Sequence, residues 1–148
     1  MKKILTLVAG LLLAIPSVLN ASEPDDILGK YVSELHGTSY KVEVFRNADG
    51  SYKGRLFWVK DSVDPATGEK YLDTKNPVKS LRTVPCDRIV IFDGLRFNAG
   101  KDQWDGTKIY DPKRGIRANV VIRAGEAGGL SVKGSLLGIS ETVKWKRL

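Results

Sequence analysis

YKVEVFRNADGSYKGRLFWV, residues 40–59, decides the fold. Tyr40, Val42 and Val44 alternate with Lys41 and Glu43, the period-two pattern of a strand with one buried face. Asn47-Ala48-Asp49-Gly50 follows as a turn whose Asp-Gly end tolerates positive φ, and Tyr52 to Val59 resumes the apolar run. The stretch therefore reads as a β-hairpin.

Working outward, Gly29-Lys30-Tyr31-Val32 opens a strand on the N-terminal side. On the C-terminal side Arg88 to Phe92 is β-branched and apolar, Gly94 is read as a turn, and Leu95 to Asn98 as a return along the same strand. Thr107 to Tyr110, Ile116 to Arg123, Leu130 to Leu137 and Thr142 to Leu148 follow, separated by Gly- or Pro-bearing turns. Asp61 to Pro85 breaks the pattern: it carries Pro65, Gly68, Pro77 and Pro85 and is long for a loop in a small domain. Within it, Asn76-Pro77 is positioned to cap one helical turn through Lys79 to Arg82. Eight or nine short strands with no amphipathic helix predict an all-β chain, either a sandwich or a closed antiparallel barrel. Closure removes exposed edges, so the expectation is a small up-and-down β-barrel of about eight strands.

The first residues carry a different signal. Lys2 and Lys3 precede the apolar run Ile4 to Ile15, and Pro16 to Ala21 ends on a small residue, as a cleavable export signal does. An apolar run of 12 residues is shorter than the roughly 20 that span a bilayer as a helix. The expected organisation is a signal peptide over residues 1–21 and a single domain over 22–148, exported to the periplasm or beyond, with no integral membrane anchor after cleavage. No Cys follows the apolar run, which argues against a bacterial lipoprotein anchor. Removing 21 of the 148 residues leaves 127, enough to bury a core without staples. The loss of Lys2 and Lys3 leaves 22 basic against 17 acidic side chains, near +5. In an exported chain with scattered charges, that balance points away from nucleic acid and towards anionic envelope polymers or lipid headgroups.

Candidate chemistry is sparse. Cys86 is the single cysteine and His36 the single histidine, so no intrachain disulfide and no multi-histidine metal site can form. No G-x-S-x-G elbow, calcium loop or phosphate-binding glycine loop is present, and no metal, cofactor or catalytic residue is expected. Asp64, Asp73, Asp105 and Asp111 leave open a carboxylate pair for sugar-polymer hydrolysis, although Asp64-Pro65 and Asp111-Pro112 read as ordinary turn formers. The aromatic set is more informative: Trp58, Trp104 and Trp145 each lie in or beside a strand, and such side chains wall small-molecule sites. Core packing is the competing reading. The expected ligand-binding residues are Trp58, Trp104 and Tyr110 as walls, with Arg82 or Lys108 as a polar anchor.

Two segments carry a family resemblance. Trp104-Asp105-Gly106-Thr107-Lys108-Ile109-Tyr110-Asp111-Pro112 followed by Gly115, together with Asn76-Pro77, Leu81-Arg82 and Pro85, resembles the bacterial exported family catalogued as domain of unknown function 2147. The likeness extends from about Ile27 to Leu148. It implies a lipocalin-like or streptavidin-like barrel of the calycin type, whose opening reads Gly-x-Trp and whose last strand supplies an Arg that packs on that Trp. Here Tyr31 stands in the Trp position, with Arg147 two residues after Trp145. The resemblance also implies cysteines around the first hairpin, as in many relatives, whereas Arg46 to Gly54 has none, so no stapled hairpin is expected.

Three functions are compatible with these readings. The first is a non-enzymatic carrier or sensor of a small, partly apolar or amphipathic molecule in the barrel mouth. The second is a filled barrel that binds an envelope protein or polymer through its loops and edges. The third is an Asp-dependent hydrolase. A hollow or filled interior separates the first two.

Overall fold

The computed structural model describes residues 21–148. The expected export signal, residues 1–21, thus lies outside the described residues but for Ala21. Nine strands run in order: β1 (Gly29–Leu35), β2 (Thr38–Arg46), β3 (Tyr52–Val59), β4 (Val90–Asn98), β5 (Gln103–Asp105), β6 (Lys108–Asp111), β7 (Ile116–Ala124), β8 (Leu130–Leu136) and β9 (Ile139–Arg147). Short 3₁₀ turns lie at Pro24–Ile27, Lys79–Leu81 and Glu126–Gly128. The hairpin read over residues 40–59 is present, with Tyr40 opposite Val59 and Arg46 opposite Tyr52.

Every strand pairs antiparallel with its neighbours, and the sheet closes where Tyr31 faces Arg147 and Val32 faces Lys146. Two short strands share one partner: Trp104 of β5 lies opposite Ile122, and Lys108–Asp111 of β6 opposite Ile116–Asn119, all on β7. β5 and β6 therefore act as one stave broken at Gly106–Thr107. The result is a closed barrel of eight staves built from nine strands, the all-β architecture expected from the strand pattern.

One expectation is corrected. Gly94 does not turn the chain back; β4 runs straight through it from Val90 to Asn98. Gly94 has φ +79°, and the β3–β4 register shifts between Tyr52 opposite Leu95 and Gly54 opposite Phe92. A glycine with positive φ serves a β-bulge as well as a hairpin, and here it bends a strand.

The two ends of the barrel differ. Large buried side chains fill the lower half: Tyr31, Tyr52, Phe92, Leu95, Trp104 and Trp145 are each no more than 2% exposed. The 3₁₀ turn at Pro24–Ile27 plugs that end, its Ile27 fully buried and its Pro24 carbonyl accepting from Trp104 Nε1 at 2.9 Å. Arg147 bolts the plug in place. Its guanidinium lies 4.9 Å above the Tyr31 ring and donates to the carbonyls of Asp26, Leu28 and Gly128 and to Tyr31 Oη. The Arg-on-aromatic packing implied by the resemblance is thus present with tyrosine in place of tryptophan.

Burial pushes the hydroxyls of Tyr31 and Tyr52 up to about 12 and raises Tyr40 and Tyr110 as well. The folded chain holds these protons to higher pH than the unfolded chain, whose tyrosines titrate near 10.0. Their contribution to stability is complete below about pH 10 and is lost as pH rises through the folded values near 12. The thermal midpoint should fall steeply above about pH 10, with phenolate absorbance appearing together with unfolding. Phenolate absorbance complete near the unfolded value in a still-folded chain would contradict this placement of the rings.

Candidate functional site

Above the aromatic floor the lumen is hollow. The reason is local: the inward positions of β7 and β8 carry Ala118 and Gly134, and a Cβ built on Gly134 would lie 3.6 Å from the Ala118 methyl. Small residues on a diagonal of adjacent strands, Gly134 lying opposite Val120 and next to Ala118, leave space that the bulky lower layers do not. The cavity so formed has a volume of about 750 Å³ and opens at the end where the β1–β2, β3–β4, β6–β7 and β8–β9 connections meet. Its walls are mostly aliphatic, with Leu56, Val59, Ile91, Ile109, Val132 and Val143 among them.

Trp145 is the floor. It stacks on Phe92 at a centroid distance of 6.3 Å, sits 6.0 Å from Tyr31, and meets Tyr40 edge-on at 6.4 Å. Its Nε1 donates to Tyr40 Oη at 3.0 Å. Burial raises the Tyr40 hydroxyl above its ordinary value, and the group is one polar point on an otherwise oily wall.

The rim is polar and stitched across turns. Arg114 Nε contacts Asp111 Oδ2 at 2.6 Å and its Nη2 contacts Glu141 Oε2 at 3.3 Å, while His36 Nε2 lies 3.4 Å from Glu141 Oε1. Lys113 Nζ donates to the His36 carbonyl at 3.2 Å, and Lys75 Nζ to the Lys113 carbonyl at 2.8 Å. Exposed pairs of this kind contribute little stability each, on the order of 0–1 kcal/mol, but with Lys75 they join all four connections around the mouth.

The long connection between β3 and β4, tied to the rim through Lys75, is also pinned from beneath. Asp73 and Asn76, 3% and 2% exposed, anchor it. Tyr110 Oη donates to Asp73 Oδ1 at 2.7 Å and Asn76 Nδ2 to Asp73 Oδ2 at 2.8 Å. Asn76 Oδ1 also accepts from the Val78 amide at 2.9 Å, beside the helical turn expected here, which is a 3₁₀ turn over Lys79–Leu81 with Val78, not Asn76-Pro77, at its N-cap. Ser62, Tyr71, Leu72 and Cys86 from this connection border the cavity. The Cys86 thiol is half-buried against the core, and burial pushes it above its ordinary value.

The five residues expected to bind ligand fall in separate places. Trp58 faces outward, 39% exposed, with Lys41 Nζ 4.9 Å from its ring. A bulge causes this: Val42 pairs with Leu56 and Lys41 with Trp58, so Phe57 is the extra residue and Trp58 leaves the face that Leu56 holds. Trp104 lies fully buried at the plugged end. Arg82 ends the 3₁₀ turn at Lys79–Leu81, its Nε donating to the Asn76 carbonyl at 2.8 Å. Lys108 is exposed on the outer side of β6. Tyr110 borders the cavity, but alternation along β6 gives the lumen to Ile109 and places the Tyr110 ring beneath the loop, with Arg117 5.2 Å from its centroid. The lumen instead presents Tyr40, Trp145, Ile109, Ala118 and Gly134.

The four carboxylates weighed for hydrolysis are each engaged separately. Asp64 accepts from the Ala66 amide, Asp73 from Tyr110 and Asn76, Asp105 from Asn98 and Gln103, and Asp111 from Arg114 and the Lys113 amide. No partner is shared between any two of them. Among the described residues no group of three or more His, Cys, Asp or Glu side chains is placed to hold a metal ion. What this geometry can do is enclose an apolar body against an aromatic floor.

Comparison with known proteins agrees with the fold. Residues 29–147 match a family described as an uncharacterized protein conserved in bacteria, domain of unknown function 2147. Among solved structures the chain is similar to protein HP1028 from the human pathogen Helicobacter pylori, described as belonging to the lipocalin family. That similarity has a TM-score of 0.65 and 26% sequence identity over 82% of each chain. No curated protein matches the chain. The chain belongs to the domain of unknown function 2147 family.

Proposed function

We propose that this member of the family is a non-enzymatic carrier or sensor that holds one small, partly apolar molecule in the upper half of its barrel. The lumen of about 750 Å³ carries the reading: it lies within the range of roughly 300–1,000 Å³ typical of small-molecule sites. A barrel acting only through its outer surface has no need of the small neighbours Ala118 and Gly134 in its wall, because larger residues there would add buried apolar area. The ligand class follows from the lining: an aliphatic or aromatic body above Trp145, with a polar group within reach of Tyr40 Oη or of the charged rim. The place of action is the periplasm or the cell exterior, to which an export signal over residues 1–21 would deliver it.

Native mass spectrometry of the protein isolated from its own envelope, without detergent, tests the reading. A mass excess of one small molecule per chain is expected. Uniformly empty protein that also takes up nothing from a lipid extract would overturn it.

A further inference from the structure

On the outside of the barrel, charge is distributed unevenly. Because Ala118, Val120, Ile122, Val132, Val143 and Trp145 point inward, the alternate residues of β6 to β9 point out. Those outward positions carry Lys108, Arg117, Arg123, Lys133, Lys144 and Lys146, all exposed, and no Asp or Glu. Register brings them together: Arg123, Ser131 and Lys144 form one cross-strand row, and Val121, Lys133 and Thr142 the next, roughly 7 Å away. None of the six is in an ion pair among the described residues. Spread over four strands with no acidic side chain among the outward positions, the six cations make this face positive.

The same face ends in an apolar finger. Leu136 pairs with Ile139, leaving Leu137 and Gly138 as a two-residue turn with φ of +51° and +77°. Turns of this kind favour Asn-Gly, and a bulky apolar residue at positive φ is uncommon. Leu137 is nonetheless 93% exposed and Ile139 77%. The turn therefore carries strain and exposed apolar surface together, which neither folding nor solubility rewards.

We propose that the β6–β9 face and the Leu137–Ile139 finger dock the barrel on an anionic lipid bilayer. Cations meet lipid phosphates along the strand face, and Leu137 enters the acyl boundary. The charge complement selects an anionic surface, and the apolar finger selects a bilayer over a purely polar polyanion. Leu136 and Ile139 also border the cavity, so docking would bring its mouth to the lipid. This surface does not depend on whether the lumen holds a ligand.

Co-sedimentation with vesicles of phosphatidylglycerol and phosphatidylcholine, against phosphatidylcholine alone, provides the test. Partitioning to the anionic vesicles should be at least tenfold stronger and should weaken in high salt. Changing Arg123, Lys133, Lys144 and Lys146 to Gln should lower it by about a hundredfold or more. Leu137→Asn, which suits the turn better and so keeps the fold, should lower it by about tenfold. Equal partitioning to both vesicles, or Leu137→Asn binding like the natural chain, would overturn the proposal. So would binding to soluble polyphosphate as tight as to the vesicles.

Discussion

Replacing Arg147 with alanine should lower the unfolding free energy by about 3 kcal/mol. The side chain reaches four acceptors at once, at 2.7 Å to Gly128 and 2.8 Å to each of Asp26, Leu28 and Tyr31 Oη. Charge-assisted hydrogen bonds contribute about 1.5–3 kcal/mol each when sheltered, and the partial exposure of this end reduces the sum. Alanine would strip the part-buried Leu28 carbonyl of this donor and remove the cation from the Tyr31 ring. Arg147 also faces Tyr31 in the register that closes the barrel, so the loss falls on the seam between the first and last strands. Lysine should recover less than half, because one ammonium cannot fork to acceptors on three segments. Denaturant titration reads the effect, and a loss below about 1 kcal/mol would show that the plug holds without its bolt.

Filling the lumen should have the opposite signature. Ala118→Phe places a phenyl ring where the wall is thinnest, beside Gly134 and Ile109. The ring enters existing space, so its burial offsets the crowding and stability should change by less than about 1 kcal/mol. A ligand that shares that space meets an overpacking penalty of about 1–3 kcal/mol, which is roughly a ten- to hundredfold loss of affinity. Substitution of an outward neighbour such as Asn119 should leave ligand affinity unchanged. A variant that unfolds would mean that the lumen is less open than its volume indicates.

How far these features could be read from the chain depends on the residue. The hairpin over residues 40–59 was legible because Tyr40, Val42 and Val44 keep strict alternation and the Asp49-Gly50 turn fixes the register. Closure followed from strand number and the absence of a helix. Trp58 was not legible, since alternation puts it on the face of Leu56 and only the bulge at Phe57 turns it outward. Trp104 reads equally as a wall or a floor until the 3₁₀ turn at Pro24–Ile27 is seen to seal its end of the barrel. Tyr110 lies one residue from a lumen position and on the other face of its strand. The hollow itself is written in Ala118 and Gly134, and small residues announce nothing in a sequence: their meaning comes from meeting as diagonal neighbours on paired strands. Gly94 showed the same ambiguity, because a positive-φ glycine turns a chain or merely bends it.

On the proposed function, the upper lumen takes one small, partly apolar molecule. The most direct test is an equilibrium titration of the natural chain and Ala118→Phe, side by side, with a neutral naphthylamine probe, following energy transfer from Trp145 at the cavity floor. Saturable one-to-one binding to the natural chain is expected, competed by an envelope lipid extract and weakened at least about tenfold in the variant. No saturable binding, or equal binding to both proteins, would contradict it.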